Sequence, residues 1–364
     1  MIDGIGAFGS GEHGSETMMG RVLVIALALS LGVTGAVQAQ TTEQGLAAMQ
    51  ARLQADEGYA GVFGVSRNGQ TEVGSIARSD GAWPTDPSTP VRWASVSKMS
   101  TAILVFQQID AGTISLDTPV VTYLPGTTVA NADRITLRQL LAHRSGLAAE
   151  LETPDGPTAD ALQYCGAARA EPGSDFFYNN CDTIVLGKVL EAVTGLAFLD
   201  LVNSRIGAPL GLTLTLPEGP RVEATMEDGS AEPRIWLSAF GPAGGLYGTI
   251  GDLLTIDMAL IEGRLISAAS LDTMLTGDPA SGYAALSVWS YSPDLGACIG
   301  TTRLVERYGE IGGVQMRNFL LPDLKLALAV YSNDHRTTFG EVWQGQGLSI
   351  DLIRAAACGA APAA

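Results

Sequence analysis

Strand-like segments lie at both ends of this chain, and the long stretch between them has the patterns of helix and loop. Near the start, residues 59–79 contain two β-rich runs around Asn68-Gly69, a dipeptide typical of a tight hairpin turn. Near the end, strand-like runs follow one another at hairpin spacing over 282–292, 298–309, 311–321 and 325–334. Because strands joined by short turns are antiparallel, we predict one antiparallel sheet built from the N- and C-terminal segments.

Helical spacing of apolar residues dominates the rest of the chain. Good helix formers occupy 41–58, 95–112 and about 338–357. The predicted fold class is therefore α/β (α+β), an antiparallel sheet flanked by helices with an inserted, mainly helical domain. We expect a sheet domain of residues 40–112 plus 240–364 and a helical insertion domain of residues 113–239.

The first 39 residues resemble a leader with a secretory signal peptide. Arg21 precedes an apolar run at 22–33, and the small-residue segment 37–39 is typical of a cleavage site. The apolar run is too short for a stable membrane span, although an N-terminal membrane anchor is the alternative. We therefore expect a mature chain that begins near residue 40, is exported to the periplasm or secreted, and has no stable membrane insertion after cleavage.

Composition limits the classes of partner. Apolar residues make up 46% and charged residues 16%, as in a compact globular protein, and the net charge is −17. An acidic surface repels phosphate groups, which argues against a nucleic-acid partner and against an anionic membrane surface. A small-molecule or peptide substrate remains as the expected partner, and the sequence leaves the oligomeric state open.

Four cysteines are present, an even number that suggests two disulfides in an exported chain. Sequence order favours the pairs Cys165–Cys181 and Cys298–Cys358, although three pairings are formally possible. No C-x-x-C spacing occurs, so we expect neither a cysteine–histidine metal site nor a metal or other cofactor.

The stretch 92–102, RWASVSKMSTA, places a serine one helical turn before one of only three lysines, Lys98. Residues three apart lie on one face of a helix, so Ser95 and Lys98 are predicted to point the same way. A serine hydroxyl is a poor nucleophile until a neighbouring base takes its proton. The spacing thus predicts a nucleophile and its base, whereas the alternative is a helix cap beside a solvated lysine.

The surroundings favour the catalytic interpretation. Residues 92–102, the block ITLRQLLAHRSGL, and the blocks at 171–195, 241–266 and 308–333 together resemble the serine β-lactamase and penicillin-binding-protein superfamily. The resemblance is to its class C-type branch, with class C β-lactamases, D,D-carboxypeptidases, D-aminopeptidases and family VIII esterases. It covers about residues 92–333.

The resemblance implies roles for several residues. Ser95 would be the acylated nucleophile and Lys98 its proton partner, in the S-x-x-K block. Tyr178-Asn179-Asn180 matches the Y-x-N block, in which the tyrosine carries protons and Asn180 touches the substrate. Without the resemblance, Tyr178 would be interpreted as one of three adjacent packing aromatics.

The third block departs from the superfamily pattern. In place of K-T-G or H-x-G, the matching triplet is Glu310-Ile311-Gly312. The resemblance also implies an oxyanion hole formed by the backbone N–H groups of Ser95 and Gly313. A glutamate at that position would repel a substrate carboxylate, so weak or absent β-lactamase activity is expected.

The sequence is compatible with three interpretations of Glu310. It is neutralised by an arginine such as Arg317, it faces away from the cleft, or it receives the positive amine of a substrate. Neutral esters are equally compatible with it.

His143 invites a rival Ser-His-Asp mechanism. However, LLAHRSGL has the pattern of a helix C-terminus, and no G-x-S-x-G elbow surrounds any serine. We therefore expect a structural role for His143.

The leading hypothesis is an exported serine hydrolase that forms an acyl-enzyme at Ser95, with Lys98 and Tyr178 as proton carriers. Its substrates would be esters, amides or peptides. The alternatives are a catalytically silent binding or sensor protein of the same fold, which Glu310 favours, and a transacylase.

Overall fold

A computed structural model of the chain describes residues 41–56, 58–78, 86–149, 161–219 and 221–359. The predicted leader and signal peptide, residues 1–39, lie outside the described residues. Residues Gln40–Ala364 group as one compact unit, and the division into a sheet domain and a helical insertion domain stays a prediction.

The strands are β1 (Gly61–Arg67), β2 (Gln70–Ile76), β3 (Val91–Arg92), β4 (Tyr247–Gly248), β5 (Trp289–Tyr291), β6 (Leu304–Ile311), β7 (Val314–Leu321) and β8 (Leu326–Ser332). The α-helices are α1 (Thr42–Gln54), α2 (Ser97–Asp110), α3 (Leu137–Leu141), α4 (Cys181–Thr194), α5 (Phe198–Val202), α6 (Ala208–Leu210), α7 (Ile250–Ile261), α8 (Ala268–Met274) and α9 (Leu348–Cys358).

Six of the strands form the predicted antiparallel sheet, in the order β2-β1-β8-β7-β6-β5. The Asn68-Gly69 turn closes the N-terminal hairpin as predicted, because Arg67 pairs with Gln70 across it. N- and C-terminal segments meet where β1 pairs with β8. The sequence prediction of the α/β (α+β) fold class is confirmed.

Alternating side chains cover the two faces of this sheet. On one face Phe63 and Val65 of β1 pack with Met49 of α1 and Ile353 of α9. On the other face Val62 packs in a core that includes α2 and Leu254 of α7. This period of two is what antiparallel strands between two helical layers require.

The two sides of strand β6 are paired to different extents. All of Val305–Ile311 pairs with β7, whereas β5 covers β6 only over Leu304–Glu306. The half of β6 beyond Glu306 therefore has an edge that β5 does not cover. The turn that carries Ser95 lies against this half.

Both favoured disulfides are present, Cys165–Cys181 and Cys298–Cys358. The first ties the start of α4 to the preceding loop, and the second ties the end of α9 to the loop before β6. Within the described ranges, none of the helices combines the length and apolarity needed to span a membrane.

Some predicted boundaries differ from the structure. The run 282–292 is a strand only over Trp289–Tyr291, because it begins in a turn in which Tyr283 and Ser287 both have positive φ. The final helix begins at Leu348, ten residues later than predicted, after a loop that contains the left-handed Gly340 and Gly345.

Candidate active site

Ser95 lies in a short 3₁₀ turn, Ala94–Val96, that leads directly into α2. The residue before it, Ala94, has φ +46°, a conformation that side chains with a Cβ rarely adopt. Backbone strain of this kind persists only where the surroundings enforce it, and it is common at functional sites. Ser95 itself is partly exposed, so a ligand can reach its hydroxyl.

Lys98 is fully buried one turn further along and points to Ser95 as predicted. Its Nζ lies 3.0 Å from Ser95 Oγ, 2.6 Å from Asn180 Oδ1 and 2.6 Å from the backbone oxygen of Ala243. An ammonium group has three donors and no acceptor. These three oxygens therefore suit a charged Lys98.

Tyr178 reaches the same point from the loop before α4. Its hydroxyl oxygen lies 2.7 Å from Ser95 Oγ and accepts a hydrogen bond of 2.9 Å from Nη2 of Arg307. Lys98 Nζ also lies 5.0 Å from the centre of the Tyr178 ring. The phenol oxygen thus faces the serine hydroxyl and two cationic side chains.

Those cations change the acidity of the phenol. Burial alone would raise the pKa of Tyr178, but the positive charges of Arg307 and Lys98, with hydrogen bonds that join the phenol to Lys98 and Ser95, lower it to about 8. Stabilisation of the anion by nearby positive charge outweighs desolvation here. A substantial fraction of Tyr178 is therefore ionised in mildly alkaline solution.

The structure brings Ser95, Lys98, Tyr178 and Asn180 together. Asn180 is the residue directly before α4, and its side-chain oxygen contacts Lys98. The adjoining Cys181 is held by its disulfide to Cys165. Asn180 is therefore fixed from both sides, by the helix start and by the disulfide next to it.

Arg307 of β6 is a site residue that the sequence analysis missed. The residue is 1% exposed, and its guanidinium donates to Tyr178 and, at 3.0 Å from Nε, to the backbone oxygen of Ser95. The ring of Trp289 lies 5.3 Å from it. Arg307 thus holds both the nucleophile turn and the phenol.

Gly309, two residues on, is where β6 passes the nucleophile. A Cβ at Gly309 would lie 2.5 Å from the backbone oxygen of Trp93 and 3.0 Å from the backbone nitrogen of Ser95. Only glycine permits this approach. Arg307-Tyr308-Gly309 therefore occupies the place of the third block, with a cation first and a glycine third.

The alignment of the third block to Glu310-Ile311-Gly312 is wrong by three residues. Gly312 has φ +61° and forms, with Gly313, the turn between β6 and β7. The N–H of Gly313 donates to Oε2 of the buried Glu232 at 3.0 Å. The prediction that Gly313 contributes to an oxyanion hole is therefore wrong, because its donor already has a buried acceptor.

The side chain of Glu310 turns away from Ser95. Its Oε1 lies 2.9 Å from Nη2 of Arg317, and the side chain is half exposed. Two of the interpretations of Glu310 that the sequence left open therefore apply at once: the side chain pairs with Arg317, and it points away from the cleft. The anomaly in the third block disappears, and with it the original reason to expect weak β-lactamase activity.

The backbone of Glu310, in contrast, faces the nucleophile side. In an antiparallel ladder, successive residues direct their N–H and C=O groups alternately to opposite neighbours. Ile311 and Val314 flank the two-residue turn and pair with each other. The N–H of Glu310 therefore points away from β7, toward the edge where Ser95 lies.

His143 has a structural position. Its ring packs 4.7 Å from that of Tyr178, and Nδ1 lies 3.3 Å from Oδ2 of the buried Asp182. Burial, together with the charges of Arg307 and Lys98, lowers the pKa of His143 well below its usual value. It is a neutral ring that supports Tyr178.

Among the described residues, no group of three or more His, Cys, Asp or Glu side chains is arranged to hold a metal ion.

Two curated proteins show what the chain is similar to. Penicillin-binding protein 4 of Amycolatopsis lactamdurans is 38% identical over 135 residues, 34% of this chain and 35% of that protein. The D-alanyl-D-alanine-carboxypeptidase/endopeptidase AmpH of Escherichia coli (strain K12) is 32% identical over 183 residues, 45% of this chain and 47% of that protein. The matches therefore span between a third and a half of these relatives.

Comparison with solved structures gives the same fold. The D-stereospecific amidohydrolase from Streptomyces sp. superposes with a TM-score of 0.68 and 24% identity, over 88% of this chain and 99% of that one. A sequence profile of the beta-lactamase family matches residues 44–346, which include Ser95, Tyr178 and all of β6. With its fold, its S-x-x-K turn and its profile in agreement, the chain belongs to the beta-lactamase family of the serine β-lactamase and penicillin-binding-protein superfamily.

Proposed function

We propose that the protein is a serine hydrolase that forms an acyl-enzyme at Ser95. The observation that carries this proposal is the position of Ser95 Oγ, which lies 3.0 Å from Lys98 Nζ and 2.7 Å from the hydroxyl oxygen of Tyr178. A serine needs such a neighbour to take its proton before it can attack a carbonyl group. The complete set of contacts also argues against a silent binding protein.

Tyr178, rather than Lys98, takes the proton from Ser95. Lys98 is surrounded by three acceptors, which suits an ammonium that has no lone pair to offer. Tyr178 has a pKa of about 8, so about a tenth of it is phenolate at neutral pH. Lys98 and Arg307 stabilise that negative charge.

The reaction then proceeds in two halves. The phenolate of Tyr178 accepts the Ser95 proton while Oγ bonds to the carbonyl carbon, and the carbonyl electron pair moves to oxygen. The tetrahedral intermediate expels the leaving group, which receives the proton from Tyr178, and an ester of Ser95 remains. In the second half, water attacks the carbonyl carbon of that ester and gives a proton to Tyr178. The bond to Ser95 Oγ then breaks, Tyr178 returns the proton to Oγ, and the acid is released.

The backbone N–H groups of Ser95 and Glu310 are the donors proposed for the oxyanion. The close approach of Gly309 to the Ser95 nitrogen supports this pairing. Donors aimed at the developing negative charge stabilise the tetrahedral intermediate more than the substrate.

We propose esters and amides with a D-alanyl acyl group as substrates. The E. coli relative is named for action on D-alanyl-D-alanine. Arg307 is only 1% exposed and is engaged by Ser95 and Tyr178, so it offers little surface to a substrate carboxylate. We therefore still expect weak β-lactamase activity, now because the cation is covered.

Export from the cytoplasm is part of the proposal. The two disulfides, Cys165–Cys181 and Cys298–Cys358, fit an oxidising compartment. Together with the signal-like segment at 22–39, they support a periplasmic or secreted protein.

A labelling experiment tests the proposed function. The purified chain is treated with a fluorophosphonate probe beside its Ser95→Ala variant, and both are assayed with p-nitrophenyl esters and D-alanyl p-nitroanilide. We expect labelling and turnover in the first protein and neither in the variant. Absence of both from the unmodified chain would instead identify a silent binding protein.

A further inference from the structure

A cavity of about 480 Å³ opens beside the candidate active site, on the opposite face of β6 from Arg307. Its wall is largely aromatic, with Tyr283, Trp289, Tyr291, Tyr308 and Trp343. Two carboxylates, Glu306 and Glu341, also line it. The proposed acylation mechanism uses none of these side chains.

Glu306 forms the buried anionic end of this cavity. It is 5% exposed, and each carboxylate oxygen accepts one tyrosine hydroxyl, Oε1 from Tyr291 at 3.0 Å and Oε2 from Tyr308 at 2.8 Å. The hydroxyls orient the carboxylate and leave each oxygen further acceptor capacity. The rings thus surround a fixed acceptor.

The charge on Glu306 is not fully compensated within the protein. Burial and the charge of Glu341 raise its pKa to about 7, against the hydrogen bonds from the two tyrosines and the charge of Arg317. Arg317 lies behind the wall, 4.4 Å from the Tyr308 ring and paired with Glu310. A positive ligand in the cavity would face two carboxylates, and none of the lining residues that the structure describes carries a positive charge.

Two of the aromatic residues have unfavourable positions in the free protein, one because its ring is exposed to solvent and the other also because of its backbone conformation. Trp343 is 68% exposed, and Tyr283, 46% exposed, has φ +62°. A left-handed conformation is an outlier for a bulky residue and suggests a functional constraint. Exposed aromatic faces next to carboxylates are what recognition of an organic cation uses.

The cavity shares one wall with the active site. The ring of Trp289 lines it and also lies 6.4 Å from the Tyr178 ring and 5.3 Å from the guanidinium of Arg307. A group bound in the cavity would therefore contact an indole that also lies beside the phenol of the active site.

We propose that this cavity binds an organic ammonium group. Cation–π attraction to the rings and the charges of Glu306 and Glu341 would hold the cation, and the apolar walls would accept its alkyl groups. The further assignment of the cavity as a subsite for a positively charged part of the substrate rests on the proposed function. The binding itself does not.

Binding is measured by calorimetry on the Ser95→Ala variant of the full chain, which removes turnover. Choline is the probe, ethylamine is the primary-ammonium arm, and 3,3-dimethylbutan-1-ol is the neutral isostere of choline. We expect an ammonium probe to bind about tenfold or more tightly than the neutral alcohol. Equal affinity for the alcohol, or no binding of either cation at millimolar concentration, would overturn the proposal.

Variants localise the binding. Adding Glu306→Gln or Trp343→Ala should each weaken binding of the cation about tenfold. The matched control is Glu262→Gln, which removes a surface carboxylate paired with Arg264 away from the cavity, and it should leave affinity unchanged. Equal losses in the control would mean a general charge effect and would contradict the assignment.

The pH dependence of choline affinity tests whether Glu306 acts through its charge, because a purely structural role of this residue would not produce it. Since Glu306 ionises with a pKa of about 7, choline affinity should rise between pH 6 and pH 8, about one unit on either side of that value. The rise should be absent from the Glu306→Gln variant. An unchanged pH profile in that variant would contradict a role for this carboxylate.

A substrate arm separates this inference from the proposed function. A choline ester and the 3,3-dimethylbutyl ester of the same acid are compared by kcat/KM in the unmodified protein, with a preference for the cationic ester expected. Cation binding without hydrolysis of any ester would refute the hydrolase and leave the binding site. Hydrolysis of both esters at the same rate would refute the subsite and leave the hydrolase.

Discussion

The hydroxyl oxygen of Tyr178 lies 2.7 Å from Oγ of Ser95, although 83 residues separate them in the chain. Arg307 donates to Tyr178 from β6, and Lys98 approaches from α2. The phenol is thus held between two cations and the group whose proton it would take. Its lowered pKa is a consequence of that position.

Removing the charge of Arg307 should change the pH profile. In Arg307→Gln, the pKa of Tyr178 rises, so the acid limb of kcat/KM should move upward by about one unit, with about a tenfold loss at neutral pH. Activity should recover at higher pH, where the phenol ionises without help. Arg307→Lys is the control and should retain most of the original profile. An unshifted limb in Arg307→Gln would show that this cation does not tune Tyr178.

Replacing Gly309 should impair acylation without a change of chemistry at the serine. The Cβ of Gly309→Ala would meet the backbone oxygen of Trp93 at 2.5 Å and displace the Ser95 nitrogen. We expect fluorophosphonate labelling to slow about a hundredfold, the size of effect of losing one oxyanion donor. Gly219→Ala, whose added methyl would have no atom of a described, non-adjacent residue within 4 Å, is the control. Thermal melts of both variants distinguish misplacement from unfolding, and normal labelling of a folded Gly309→Ala would refute the third-block assignment.

Trp289 should control access to Arg307. Its ring lies over the guanidinium of Arg307, 5.3 Å from it, and Arg307 is only 1% exposed. In Trp289→Ala, the cation becomes available to a substrate carboxylate, and a charge-assisted hydrogen bond to it should raise kcat/KM for a chromogenic cephalosporin about tenfold or more. Trp343→Ala removes another indole of the cavity wall, one that is 68% exposed, and should not have this effect. Rapid cephalosporin hydrolysis by the unmodified protein would contradict the claim that Trp289 keeps a substrate carboxylate from Arg307.

The two disulfides should differ in their effect on activity. Cys181 directly follows Asn180, which contacts Lys98, whereas Cys298–Cys358 ties α9 to the loop before β6. Replacing either pair by alanine should cost about 3–4 kcal/mol of unfolding free energy, measured by denaturant titration. Only loss of Cys165–Cys181 should also lower kcat/KM at a temperature where both variants are folded. Equal activity in the two variants would show that the disulfide does not support Asn180.

Much of the fold and half of the site could be predicted because the signals are local. Asn68-Gly69 specifies its hairpin turn, and the spacing of Ser95 and Lys98 specifies one helix face. The six-stranded sheet follows from strand-like runs at the two ends of the chain. The turn, the helix face and each single strand depend on a few neighbouring residues, whereas the pairing of β1 with β8 joins the two ends of the chain.

The third block could not be placed in the same way, because two triplets on one strand compete for it. Which triplet faces Ser95 depends on the register of β6 with β7, and a shift of one residue exchanges the faces of a strand. The overlooked signal is Gly312-Gly313, a typical hairpin turn. A turn at that point puts Glu310 near the strand end and leaves Arg307-Tyr308-Gly309 beside the nucleophile.

The most direct test of the account is the pH dependence of Ser95 labelling by a fluorophosphonate, compared between the unmodified protein and Tyr178→Phe. Ionised Tyr178 should be the proton acceptor, so the labelling rate should rise with pH through about 8 in the unmodified protein. In Tyr178→Phe the labelling rate should fall at least about a hundredfold, and it should no longer rise with pH. A Tyr178→Phe variant that labels at the original rate with the original pH profile would contradict the assignment of Tyr178 as the base.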